Sequence, residues 1–450
     1  MKILHYTVGL GENRGGGLTK YVDDLVACQS KDNSVMILYP GEYRLLSSKV
    51  SIKREKNKKG VPVYSIVNPL SLPMLFGLKD KEYLTKHTLT SMWKNFFEKN
   101  KIEVIHIHTM IGLYEEFIDA ANELNIPTIY TTHDYFGLCP KQIYVYHNKK
   151  CENWNSCVDC PKCNKYAFSR AKTYIIHSKL FCKLRKNKLF LEIKGTAKKK
   201  IEQTDNVSEG ITVNDLSFYK NLKHKYAKTF EKIDWFHFNS SVTEWVFHRE
   251  LPSLKGDIVN ISHLDVKDHR KEKAFDSAKL RITYLGPATS IKGFDWLIKT
   301  LDSVSLSNNN FLLNIYTYTP MERSYIKKHG DRYDYSQLEK IMDESDILVA
   351  PSVCYETFGF TVLEALSYGV PVVVSDSVGA RDLVQDKKNG FIINEKNFEG
   401  VLLKIISNRD CLKIMNCNIL KGNFESFDEH CHKILLMYEE VCKMKKESVS

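Results

Sequence analysis

Two glutamates eight positions apart, Glu356 and Glu364, lie in the stretch YETFGFTVLEALSYGVPVVVSD (355–376). An ionised carboxylate accepts hydrogen bonds and donates none, so it suits hydroxyl-rich ligands: Glu356 for the hydroxyls of a sugar, Glu364 for the diol of a ribose. Between them, Gly359 would let the backbone approach a phosphate, and the helix expected after it opens with free N–H groups that favour an anion. Taken singly, such glutamates are ordinary solvated residues. Their company is what points to a ligand site.

The surrounding elements place them. DILVAPS (346–352) has the short apolar run and Pro/Ser stop of a buried parallel strand, TVLEALSYG (361–369) has helical apolar spacing and a terminating glycine, and VPVVVSD supplies the next β-branched strand. In a strand–loop–helix–strand unit, ligands bind at the carboxyl ends of the strands, where the loop precedes the helix. Glu356 then sits on that loop and Glu364 on the first turns of the helix.

Glutamate, Phe358-Gly359-Phe360, the second glutamate, Gly-x-Pro and a following Ser-Asp occur together here. The combination resembles the E-x7-E signature of retaining, nucleotide-sugar-dependent glycosyltransferases with two Rossmann-like domains. GARDLVQDKKNGFII (379–393) resembles the family's next loop, helix and strand, and RITYLGPATSIKGFDWLIKTL (281–301) its first strand, loop and helix of the C-terminal domain. The resemblance implies an α/β protein of GT-B architecture, two doubly wound Rossmann-like domains facing a central cleft. Lys292 matches the lysine that grips the donor diphosphate in the family, and a compact ammonium at a loop-to-helix junction suits a phosphate. One departure is evident: the family commonly places an arginine after the glycine of the first strand, whereas Pro287 follows Gly286. That removes a second diphosphate cation.

In the amino-terminal half, GLGENRGGGLTKYVDDLVACQS (9–30) is a glycine-rich loop entering an amphipathic helix, without G-x-G-x-x-G spacing. Gly16 and Gly17 match the Gly-Gly pair that the family carries at this place. VMILYP (35–40), VPVYSIV (61–67), IEVIHIHT (102–109) and IPTIYTTHD (126–134) recur as short β-branched strands, the alternation of a parallel, doubly wound sheet. His108 and His133 then fall at the carboxyl edge. His133 resembles the family histidine that faces the donor sugar. Asp134 is a candidate to orient that imidazole, although neighbours in a strand point to opposite faces.

Beyond His133, Cys157-x2-Cys160-x2-Cys163 has metal-ligand spacing, and Cys139 and Cys151 bring the thiols to more than the four that a tetrahedral zinc needs. The polar filling offers little core, so a metal clip has structural value; a cysteine-rich loop without metal is the alternative. The HDY-x3-CP stretch followed by cysteines also resembles some family members in outline.

A chain of 450 residues exceeds one ordinary core, and 43% hydrophobic with 26% charged residues is a globular composition. The expected division is 1–255, an N-terminal acceptor-side domain with the Cys-rich loop (139–163) and a basic helical insertion (165–232); 256–425, a donor-binding domain; and 426–450, a helix crossing back, with a fraying tail from 443. FHFNSSVTEWVFHRE (236–250) gives a strand, a Ser N-cap and a helix, and DIVNISHLDV (257–266) a strand entering the linker. No run reaches the ~18 apolar residues of a membrane span, and MKILHYTVGL reads as a first strand instead of a leader, so a cytoplasmic location is expected. The net charge of +11 is concentrated in 179–200, with nine basic residues and one acid among leucines and phenylalanines. That suits an anionic membrane face as well as a solvated surface, and no nucleic-acid module accompanies it.

The resemblance implies retaining transfer from a nucleotide sugar to a glycan or lipid-linked acceptor in bacterial surface polysaccharide synthesis. His133 and Glu356 are the catalytic candidates, and Gly16, Gly17, Lys292, Phe358, Gly359, Phe360 and Glu364 the donor-binding ones. No Asp-x-Asp pair stands at the donor loop, and the resemblance implies metal-independent transfer with no cofactor required for catalysis. Two rivals remain: a non-catalytic partner subunit, motivated by Pro287, and a nucleotide-sugar epimerase on the same fold.

Overall fold

Strands Lys2–Tyr6 (β1), Ser34–Pro40 (β2), Ser51–Arg54 (β3), Val63–Val67 (β4), Val104–Ile107 (β5) and Thr128–Thr131 (β6) begin the chain. They are followed by the short ribbon Val145–Tyr146 (β7) and Lys149–Lys150 (β8), then Trp235–Phe238 (β9) and Gly256–Ile258 (β10). In this computed structural model, which describes residues 1–12, 16–44, 46–73, 77–151, 153, 155–177 and 213–448, they form an eight-stranded sheet of order β10-β9-β6-β5-β1-β2-β4-β3 and the separate ribbon. All pairs in the sheet are parallel except β3 with β4. The strands are nearly continuous buried runs because helices cover both faces.

A second sheet, of order β13-β12-β11-β14-β15-β16, is wholly parallel: Leu280–Tyr284 (β11), Phe311–Ile315 (β12), Ile326–Lys328 (β13), Ile347–Ala350 (β14), Val372–Ser375 (β15) and Gly390–Ile393 (β16). The molecule is therefore two doubly wound α/β domains. In each sheet the order of winding reverses once, between β1 and β5 in the first and between β11 and β14 in the second, and a doubly wound sheet opens its ligand crevice at such a point.

Several expectations shift. β10 belongs to the first sheet, which thus continues past residue 255, and the strand expected over 257–266 ends at Ile258. Past it, Asn260 Nδ2 donates to the Asn239 carbonyl at 3.2 Å, tying the departing chain to the end of β9. β3 is an antiparallel edge strand with little burial, so no apolar run marks it in the sequence. Within 165–232 the described helices are Arg170–Ile176 and Val213–Glu231; the basic stretch 179–200, with the membrane surface expected of it, lies outside the described residues.

The last helix runs over Phe427–Glu447, with a capping box formed by Ser426 and Glu429. It packs Cys431, Ile434, Met437, Tyr438 and Val441 into a core shared with Ile3, Tyr21, Val22 and Leu25 of the first domain. Each such apolar side chain contributes roughly 1.5–3 kcal/mol when fully buried. Over 443–447 the expected fraying gives way to helix, and Lys445 Nζ reaches Asp234 at 2.6 Å and Asn122 at 2.9 Å, holding the last described turns to the first domain.

Candidate active site

The loops following β11 and β14 flank the crevice of the second sheet, and each delivers one charge. After β11, Gly293 takes φ 73°, and a Cβ there would lie 1.8 Å from the Pro351 carbonyl oxygen, so only glycine lets this loop seat against the end of β14. Lys292 is thereby brought to the β14 loop, and its Nζ lies 2.7 Å from Glu356 Oε1. Ser352 Oγ donates to the other carboxylate oxygen. Burial pushes the Glu356 carboxyl up, but the Lys292 charge and the hydrogen bonds from Lys292 and Ser352 outweigh it and leave it below the ordinary range. For Lys292, burial works to lower the ammonium and Glu356 more than restores it. Both groups are charged at neutral pH.

Gly359 precedes the helix Phe360–Ser367 with φ 106°, and a Cβ would meet Val378 Cγ1 at 2.8 Å. The glycine thus permits the turn that aims the first helical N–H groups outward. Phe358 is buried, with its ring 5.5 Å from that of Phe360. Phe360 in turn reaches the first domain: a Cβ on Gly17 would lie 3.1 Å from Phe360 Cε2.

A cavity of 360 Å³ lies between the domains, lined by Gly17, His133, Lys292, Glu356, Phe358, Gly359 and Phe360 among others. Seven of the nine expected site residues therefore converge on it. Gly16, whose added Cβ would meet nothing within 4 Å, caps the helix Gly17–Gln29 from outside the lining. Glu364 is also outside it: it is buried in its helix, with Oε1 3.3 Å from His263 Nε2. A larger cavity of 1010 Å³, between Val259–Ser262 and residues 418–425, shares Ile261 with the interdomain one but is lined by neither Lys292 nor Glu356.

On the first domain, Thr357 Oγ1 donates to the His133 carbonyl at 3.2 Å, linking the two lobes beside the cavity. His133 Nε2 lies 3.2 Å from His108 Nδ1. His108 does not project into the cavity as its place at a strand end suggested; it is buried beneath His133. Asp134 does not orient the imidazole. Its carboxylate accepts from Thr109 Oγ1 and from the Phe136 amide, each at 2.8 Å, and burial pushes it up to about 6. Burial first, then repulsion from His237 and His430, holds His133 well below the ordinary imidazole range, so it is neutral. Ser352 and Thr357 had no sequence signal beyond their nearness to the named residues.

Residues 15–163 match the family described as Glycosyltransferase Family 4, and residues 279–408 that described as Glycosyl transferases group 1. The chain belongs to the glycosyltransferases of group 1 and family 4. An uncharacterised glycosyltransferase of Methanocaldococcus jannaschii is 28% identical over 155 residues, 32% of this chain and 39% of that protein. A poly(ribitol-phosphate) α-N-acetylglucosaminyltransferase of Staphylococcus aureus is 25% identical over 185 residues, 38% of this chain and 35% of the relative. The matched region thus spans less than half the length of these curated relatives. Among solved structures, Anabaena HepE in complex with UDP superposes with a TM-score of 0.57 at 13% identity, covering 98% of this chain and 100% of HepE. That likeness establishes the GT-B fold of this glycosyltransferase family member. Among its described residues, no helix is long and apolar enough to cross a membrane.

In the cysteine loop, Cys157 is buried, and its hydrogen bond with the Cys160 thiol lowers it to about 7. Burial raises Cys151 and Cys163 to about 11, and Cys139 lies close enough to add to both shifts. Among the described residues no three of these sulfurs come within 4.8 Å of one another.

Proposed function

We propose that the chain is a retaining glycosyltransferase that moves a sugar from a nucleotide donor to a glycan or lipid-linked acceptor of a bacterial surface polysaccharide. The observation that carries this reading is the convergence of Lys292, Glu356, the glycine-opened helix N-terminus and His133 on one interdomain cavity. The diphosphate leaves with its negative charge against Lys292 Nζ and the N–H groups after Gly359, which are fixed before the reaction begins. Charge placement of this kind needs no divalent ion.

Glu356 accepts from sugar hydroxyls, and His133 meets the sugar from the opposite lobe. Glu364 takes the ribose diol through Oε2, the oxygen that His263 does not engage. The acceptor hydroxyl attacks on the face from which the diphosphate departs, which retains configuration. The class of donor is supported by UDP bound to a protein of the same fold, and the class of product by the ribitol-phosphate polymer named for the S. aureus relative.

Turnover of a nucleotide sugar by Glu356→Ala is expected to fall by about 10²–10³, in the range of losing one preorganised polar group, with an unchanged circular dichroism spectrum. Near-wild-type turnover sinks the assignment. Pro287 favours one rival, a non-catalytic partner subunit, because among the described residues Lys292 is the one lysine or arginine lining the cavity. Absence of donor turnover together with no nucleotide-induced thermal shift selects that rival.

The second part of the reading is a structural zinc at four of Cys139, Cys151, Cys157, Cys160 and Cys163. The low Cys157 thiol and the Cys157–Cys160 hydrogen bond support a nucleus for it, and the other sulfurs must close in around the ion. Elemental analysis is expected to give one zinc per chain, and a chelator to lower Tm; purified protein free of zinc removes the proposal.

A further inference from the structure

The inner side of His133 opens onto a run of polar groups that the transfer chemistry leaves unused. His133 Nε2 is 3.2 Å from His108 Nδ1, His108 Nε2 is 3.0 Å from His5 Nδ1, and His5 Nε2 is 2.9 Å from Gln29 Oε1. Gln29 Nε2 is 3.2 Å from the Tyr438 hydroxyl, which is 2.5 Å from His106 Nδ1. His106 Nε2 is 2.6 Å from Thr131 Oγ1, Thr131 Oγ1 is 2.9 Å from His237 Nδ1, and His237 Nε2 ends the run on the Val259 carbonyl at 2.7 Å. From His5 to His237 every member is buried, so water cannot substitute for a missing partner.

The direction of every bond follows from that last carbonyl. A carbonyl only accepts, so His237 donates from Nε2; a neutral imidazole has one N–H, so its Nδ1 accepts from the Thr131 hydroxyl. Thr131 Oγ1 must then accept from His106 Nε2, and His106 Nδ1 from the Tyr438 hydroxyl. The phenol oxygen accepts from the Gln29 amide nitrogen, which turns the amide oxygen to His5 Nε2–H. His5 Nδ1 therefore accepts from His108 Nε2–H, and His108 Nδ1 from His133 Nε2–H. Neutrality of the five imidazoles is supported by burial, which lowers His5 and His237 to about 4 and His106, His108 and His133 well below the ordinary range.

His133 Nδ1 is what remains. It bonds no other described residue, and it is not among the buried polar atoms lacking partners, so it is the ring nitrogen with access to the cavity that His133 lines. His5, His106 and His108 also bring one nitrogen each within 4.8 Å of the others, a spacing a metal could use. Both ring nitrogens of all three are already engaged in the run, and an ion there would strip several of these bonds. The hydrogen bonds account for the spacing.

We propose that this one-way chain fixes His133 as its Nε2–H tautomer and presents an unprotonated Nδ1 to the cavity, with Tyr438 of the crossing helix and Gln29 acting as positioning residues. The group it selects is a hydrogen-bond donor, such as a sugar hydroxyl, over an acceptor-only oxygen. That choice of ligand rests on the transfer reading; the tautomer does not.

The test is ¹⁵N NMR of the histidine-labelled full chain near pH 7.5, with the His133 signals assigned by their loss in His133→Asn. The wild-type protein is expected to show a protonated Nε2 and a bare Nδ1. In Tyr438→Phe the Gln29 amide loses the acceptor for its N–H and is free to turn; its nitrogen can then donate to His5 and reverse the three imidazoles beyond. His133 is expected to shift its proton wholly or partly to Nδ1. A wild-type proton on Nδ1, a charged imidazolium, or a tautomer unmoved by Tyr438→Phe in folded protein each overturns the proposal. If Tyr438→Phe does not fold, the wild-type spectrum alone still decides. A bare Nδ1 with no sugar transfer keeps the chain and discards the transferase reading, and Nδ1–H with full transfer does the reverse.

Discussion

At the crevice between β11 and β14 the polar groups are charged: Lys292 and Glu356 face each other at 2.7 Å. At the equivalent crevice between β1 and β5 they are neutral imidazoles, His5, His106 and His108, joined by hydrogen bonds to Gln29 and Tyr438. The two sheets share a winding pattern, and what separates them is their cover. Tyr438 and its neighbours on Phe427–Glu447 seal the first crevice, whereas the second opens to the interdomain cavity. Without water a lone charge is too costly, so the sealed site holds groups that can be neutral, while the open one keeps an ion pair. Topology sets where polar groups collect, and burial sets their charge.

Acid breaks this comparison most strongly. Burial lowers His5 and His237 to about 4, His430 to about 3, and His106, His108 and His133 well below the ordinary range. Unfolded, all six titrate near about 6.5. As pH falls from there toward 4, the unfolded chain takes up protons that the native state refuses, so stability declines by about 1.4 kcal/mol per pH unit for each imidazole. Asp134, raised to about 6 by burial, gains its proton in the native state first and offsets one of them. The imidazoles outnumber that one carboxyl, so the net effect of acid below about pH 6 is a loss of stability. Thermal melts are expected to show Tm collapsing below about pH 6; a Tm unchanged at pH 5 means the crevice is not sealed.

A smaller effect sharpens the open side. Gly359→Ala puts a Cβ 2.8 Å from Val378 Cγ1 at φ 106° and is expected to cost about 1–3 kcal/mol in urea unfolding. The same variant is expected to weaken nucleotide affinity, because the turn that presents the helix N–H groups must shift. Unaltered affinity with lowered stability separates the glycine's packing role from the site.

Local signals carried much of this. The β-branched runs became β5, β6, β14 and β15, and the Glu356–Phe360 stretch, Lys292 and His133 met at one cavity as their motifs suggested. Glu364 was legible as a helix residue, but not as one turned toward His263. Asp134 beside His133 invited a partnership, but both lie in the bend after β6, where the Asp134 carboxylate turns to Thr109. His5 and His106 gave no signal at all, because in a buried strand a histidine reads like any interruption of an apolar run.

By itself the sequence determined the α/β alternation, the glycines that allow tight approach, and the types of group available at each strand end, because these depend on periodicity and side-chain chemistry over a few residues. The tertiary structure decided which groups meet and in what charge state. Tyr438 reaches His106 across 332 positions and Thr357 reaches His133 across 224. Such contacts, and the loss of water that accompanies them, exist only once the two sheets and the crossing helix have packed together.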